Sequence, residues 1–186
     1  MVSIMSLWLP ILLGAVFVFI VSSVIHMFLG YHSSDYKRLP NEEQVAAALR
    51  PFNIPPGNYT VPKSGSMKEM GTPEFKQKLN QGPVLMMTVL PNGPITMGKQ
   101  FVQWFAFSAL IGIFAAYMAS RTLSAGAEYL AVFRVTGTVA FAGYGLAQIP
   151  ESIWFARNWP ATVKSVFDAL IYAVLTGGVF GWLWPS

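Results

Sequence analysis

The chain has 186 residues, of which 54% are hydrophobic and only 11% charged, far below the roughly 25% charge of an average soluble domain. It contains no cysteine, which excludes disulfides, thiolate metal sites, iron–sulfur clusters and cysteine nucleophiles. Its net charge of +4 arises largely from one connecting segment, a pattern of membrane topology rather than of nucleic-acid binding.

Residues 6–29 carry no fixed charge, and at 1.5 Å per residue such a run crosses a hydrocarbon core of about 30 Å. It is too long for the core of a signal peptide and no basic stretch precedes it. Ile25-His26-Met27 is also a poor cleavage site, so the segment is expected to stay as a first span.

From residue 30 to residue 100 the composition turns ordinary. Asn41 is expected to cap a helix over 42–50, with acids in its first turn and Pro51 stopping it. Thr72-Pro73-Glu74 repeats the start signal for a helix ending at Gly82. Residues 58–61 and 84–90 read as short strands, the second closed by Pro91-Asn92-Gly93. A small α+β lobe follows, too lean in apolar residues to be self-sufficient.

Residues 101–120 read as the second span, from Trp104 near one interface to Arg121 at the other. The third runs over about 128–148, apolar except for Arg134, and ends at Pro150. Residues 150–164, with Trp154 and Trp159 among charges, read as a segment lying flat in the interface. The fourth span covers about 165–184, with Asp168 near its start and Trp182 and Trp184 at its end. The expected fold is an all-α membrane protein: a first transmembrane helix (1–29), a polar lobe (30–100) and a three-helix transmembrane region (101–186).

Ten of the lysines and arginines fall on the side of the large loop, against Arg121 on the other. The positive-inside rule then predicts a cytoplasmic lobe and both termini outside, in a multi-pass protein of the cell membrane.

Small residues recur at intervals of three or four along the last three spans: Ser108, Gly112 and Ala116; Gly137, Ala140 and Gly143; Ala169, Ala173, Gly177 and Gly181. Such stripes let helices approach closely in lipid, within one bundle or against another subunit. Arg134 lies about 9 Å below the outer interface by helix rise, within reach of a lipid headgroup, and Trp154 and Trp159 are further anchors. His26 is expected at the depth of Asp168, with Ser22 one turn away and Gln103 joining from span two. A His–Asp pair there relays protons, holds a histidine tautomer for a metal, or fixes helix packing as an interfacial polar cluster. The six-residue separation of His26 and His32 places them on different helical faces, which argues against a paired haem or metal site. No Gly-rich phosphate loop, H-E-x-x-H or G-x-S-x-G motif is present, and the reading is of no enzyme and no cofactor.

Several stretches resemble a family of uncharacterised bacterial integral membrane proteins: His32-Ser33-Ser34-Asp35-Tyr36-Lys37 with Leu39-Pro40-Asn41-Glu42-Glu43, Gly82-Pro83-Val84, Tyr129-Leu130-Ala131-Val132-Phe133-Arg134, Ser152-Ile153-Trp154-Phe155 and Gly181-Trp182-Leu183-Trp184-Pro185. The resemblance covers most of the chain and implies a bacterial source, but carries no activity and no functional residue. The leading expectation is a non-catalytic accessory or scaffold subunit of a larger bacterial membrane complex, such as an energy-transducing one. A small transporter or proton-coupled binding protein is the alternative, and a lipid-binding membrane protein a second. Expected partners are membrane lipids and other membrane-protein subunits or a second copy of the chain, and no nucleic acid.

Overall fold

A computed structural model describes residues 2–186. In chain order the elements are α1 (Trp8–Met27), α2 (Glu42–Leu49), β1 (Gly57–Val61), α3 (Met67–Met70), α4 (Pro73–Gln81), β2 (Leu85–Val89), α5 (Gly98–Thr122), α6 (Tyr129–Tyr144), α7 (Ile149–Trp154) and α8 (Trp159–Trp182). Two compact units result, residues up to Lys37 with Thr96–Ser186, and Arg38–Ile95. Four helical stretches are long and apolar enough to cross a membrane: Ile4–Met27, Gly98–Thr122, Tyr129–Trp154 and Trp159–Trp182.

In the helical unit α1 packs against α5 and α8, and α6 packs against the same two, closing a ring of four. Sequence neighbours run antiparallel. Ile11 of α1 meets Gly112 of α5, while Ser22 near the end of α1 meets Trp104 near the start of α5. Two apolar clusters fill the interior: Val18, Ile25, Ile111, Tyr144 and Tyr172 with their neighbours toward one end, and Leu7, Ala115, Val132 and Phe180 toward the other. The outward faces carry exposed Phe17, Ile20, Phe114, Leu130, Phe167 and Val174. An apolar exterior on helices of this length is compatible with a multi-pass membrane protein.

The small-residue positions lie inside this ring. A Cβ on Gly177 would come within 2.9 Å of the Phe133 carbonyl oxygen of α6, and one on Gly137 would meet the Ala173 carbonyl at 3.5 Å. Ala169 is buried beside Gly145, and Gly181 faces Tyr129. Gly143 faces Ile111, and Ser108, Ala116 and Ala140 are fully buried. The α6–α8 contact is thus close backbone packing, in which Gly177 stands where a side chain has no room.

Two expectations about the last spans are corrected. Pro150 does not end the third: it occupies the first turn of α7, where its missing N–H costs nothing, and a 3-10 turn Leu146–Gln148 links α6 to α7. The fourth begins at Trp159 rather than Ser165, again with proline, Pro160, in its first turn. Residues 150–164 therefore finish one helix at Trp154 and start the next at Trp159. At the other end the C-terminus is tied to the α5–α6 connection: Gly126 N–H donates to the Pro185 carbonyl at 2.8 Å and the Trp184 indole to Ser124 at 2.9 Å.

In the smaller unit β1 and β2 pair antiparallel from Gly57 opposite Val89 to Val61 opposite Leu85. Thr72 caps α4 by accepting from Phe75 N–H at 3.2 Å, and Glu74 sits in the first turn. Asn41 does not cap α2 with its side chain as expected. It adopts a left-handed conformation, and its carbonyl accepts from Gln44 and Val45. Phe75 is the one buried hydrophobic residue of this unit among the described residues.

Candidate functional site

The site begins with the way α1 ends. Phe28 N–H closes the last turn on the Val24 carbonyl, and Gly30 at φ +64° takes the left-handed step that other residues resist. The 3-10 turn Tyr31–Ser34 then folds back over the end of α1. His32 consequently stacks on His26, ring centroids 4.5 Å apart and 11° from parallel. The expectation that these histidines stand on different faces is overturned. Helical spacing does not apply across Gly30, because the helix has already ended at Met27.

His32 bridges two carboxylates. Its Nδ1 lies 2.6 Å from Asp35 Oδ2 and its Nε2 2.7 Å from Asp168 Oδ2. The Tyr31 hydroxyl donates to the other oxygen of Asp168. Lys164, one turn before Asp168 on α8, donates to the Tyr31 carbonyl at 2.6 Å, to Ser34 Oγ at 2.8 Å and to Asp35 Oδ1 at 2.8 Å. Burial pushes the Asp35 carboxyl up, but the hydrogen bonds from Lys164 and His32, with the attraction of their charges, outweigh it and hold the group below its ordinary value. Asp35 is thereby favoured in its ionised form, between the Lys164 ammonium and the His32 ring.

Asp168 thus meets His32 and Tyr31, not His26 as its hydrogen-bonding partner. His26 stays close, with Nδ1 3.0 Å from the Ser22 carbonyl. Ser22 Oγ accepts from the Trp104 indole at 2.8 Å. Gln103, expected to join this group, is exposed on α5, and it is the half-buried Trp104 of that helix that reaches Ser22. Arg134 is exposed on α6, as are Trp154 and Trp159 at the facing ends of α7 and α8.

Beside this network is a cavity of about 410 Å³. Its polar wall comes from Ser22, His26, Asp168 and Arg157, and its aromatic wall from Trp104, Phe107, Tyr144 and Tyr172. Arg157 is held by Gln148 Oε1 at 3.0 Å and Ser165 Oγ at 2.9 Å. Tyr144 and Tyr172 pack edge to face at 5.5 Å, and each contacts Trp104 at about 6 Å. The Tyr172 hydroxyl, on a residue only 4% exposed, has no hydrogen-bond partner among the described residues.

Sequence reasoning missed Tyr31, Asp35, Lys164, Arg157 and the aromatic wall. Two local signals pointed to part of it: Lys164 and Asp168 share a helix face four apart, and His32 and Asp35 are three apart. Nothing local linked the two pairs. No family model, curated protein or solved structure matches the chain.

Proposed function

We propose that this chain is a multi-pass membrane protein that binds a small, mainly apolar molecule bearing a polar group, in the cavity bounded by α1, α5, α6 and α8. The Tyr172 hydroxyl carries this reading: a buried donor without a partner, lining a cavity large enough for a small ligand, calls for a group to meet it. The aromatic wall matches an apolar ligand body, and Arg157 and Asp168 supply fixed polar contacts. Native mass spectrometry of the full chain in mild detergent tests it. A retained small molecule is expected in wild type and should be lost in Ser23→Trp, which fills the cavity from its lining. Identical spectra for the two proteins would reject the reading.

A second reading, an accessory subunit of a larger membrane assembly, is favoured by the smaller unit. With Phe75 alone buried, it leaves Phe52 (72%), Met67 (84%) and Ile95 (85%) exposed, more apolar surface than a unit of this size keeps in water without a partner. Purification in mild detergent should then bring a stoichiometric second protein. A lone chain in that preparation would count against this role.

A further inference from the structure

His26, His32 and Asp168 each place one donor atom within 4.8 Å of the others. The second nitrogen of each imidazole is already committed. His26 Nδ1 faces the Ser22 carbonyl at 3.0 Å, and a carbonyl only accepts, so this nitrogen carries the proton and Nε2 keeps its lone pair. His32 Nδ1 faces Asp35 at 2.6 Å, whose other oxygen is paired with Lys164, so here too Nδ1 is the donor. Its Nε2 points at Asp168. Two histidines with pinned Nδ1 atoms, one of them through the Asp35 carboxylate, and a second carboxylate, Asp168, within reach of both form the arrangement by which proteins orient metal-ligating imidazoles.

We propose that His26, His32 and Asp168 form a binding site for a divalent first-row transition metal, with Asp35 and the Ser22 carbonyl as positioning groups that hold both imidazoles in the ligating tautomer. Two nitrogens and one carboxylate suit Zn²⁺, Fe²⁺, Co²⁺ or Mn²⁺. The set lacks the sulfur that selects Cu⁺ and the six or more oxygens that Ca²⁺ takes. Charge agrees: Lys164 pairs with Asp35, so with both imidazoles neutral Asp168 has no ion-pair partner among the described residues, and Arg157 on the same cavity wall is bound to Gln148 and Ser165. Metal bonds of about 2.0 Å place tetrahedral ligands about 3.3 Å apart. The 2.7 Å His32–Asp168 contact therefore opens as the ion takes the place of the proton between them, and the exposed His26 side chain closes from the far side. His26 and Asp168 also line the cavity, so a coordination position left free by three protein ligands faces it. The inference deepens the binding reading by setting a cation on the cavity wall, and rests on that reading only for what fills the free position.

The test uses the full chain, purified without a polyhistidine tag, stripped with chelator and titrated with Co²⁺ while visible absorption is followed. One equivalent of Co²⁺ is expected, with ligand-field bands of a nitrogen–oxygen site, and Zn²⁺ should displace it. His26→Ala should weaken Co²⁺ binding at least 100-fold while the exposed position leaves circular dichroism and gel-filtration behaviour unchanged, and Asp35→Asn should weaken it about 10–100-fold at the same stoichiometry. Equal Co²⁺ affinity in wild type and His26→Ala, or no uptake by wild type, would overturn the site. If Co²⁺ binds as expected but native mass spectrometry shows no cavity molecule, the cavity reading alone fails. A retained molecule without Co²⁺ uptake removes the metal site alone.

Discussion

His32 makes hydrogen bonds from both ring nitrogens to carboxylates, and two bridging protons must therefore be shared along Asp35, His32 and Asp168. Lys164 is what makes the arrangement tolerable, since its three contacts place a positive charge against Asp35 and satisfy the Tyr31 carbonyl in the same turn. Replacing it by methionine keeps the length of the side chain and removes the charge, leaving Asp35, 8% exposed at its side chain, without its ammonium partner. Lys164→Met is expected to lose about 1.5–3 kcal/mol, the worth of a hydrogen bond to a charged group. Thermal unfolding in detergent checks this, and a variant as stable as wild type would show that the pair does not hold the turn over α1.

At the scale of elements, the contacts of α6 with α5 and α8 separate glycines that are required from those that are incidental. A methyl group on Gly177 would press on the backbone oxygen of Phe133, which cannot move without moving α6. On Gly143 it would meet only the terminal carbon of Ile111, the mobile end of a side chain, and on Gly178 the nearest atom is the Tyr129 hydroxyl at 3.6 Å. Gly177→Ala is therefore predicted to destabilise by about 1–3 kcal/mol, as overpacked sites do. Gly143→Ala should cost less, and Gly178→Ala should be near neutral, measured for all three by reversible unfolding in mixed micelles. An equal cost at the three positions would mean that the helices part more readily than the packing implies.

For the whole molecule, four long apolar helices in one antiparallel ring predict that the two ends of the chain share one side of the membrane and that Arg38–Ile95 lies on the other. The concentration of lysine and arginine on the lobe side predicts that this other side is the cytoplasm. The absence of native cysteine makes the measurement direct. Ser186→Cys should react with an impermeant maleimide in intact cells, and Lys63→Cys should react only after the membrane is opened. The reverse pattern would invert the orientation, and labelling of both in intact cells would remove one span.

The long helices and the lobe were legible in the chain because what specifies them is local. Uninterrupted apolar runs form helices long enough to cross a bilayer, and Thr72 and Pro73 start α4 within a single turn. The boundaries at Pro150 and Pro160 were misjudged because proline in a first turn and proline after a last turn look alike until the neighbouring backbone is known. The cluster around His32 was hidden for a different reason. Its two halves lie more than a hundred residues apart, and the left-handed turn at Gly30, together with the packing of α8 against α1, brings Tyr31, His32 and Asp35 onto Lys164 and Asp168. Sequence by itself determined that apolar segments of this length alternate with one polar lobe. The tertiary structure decided which polar side chains meet, because a helix's rotation about its axis follows from packing against its neighbours and not from its own composition.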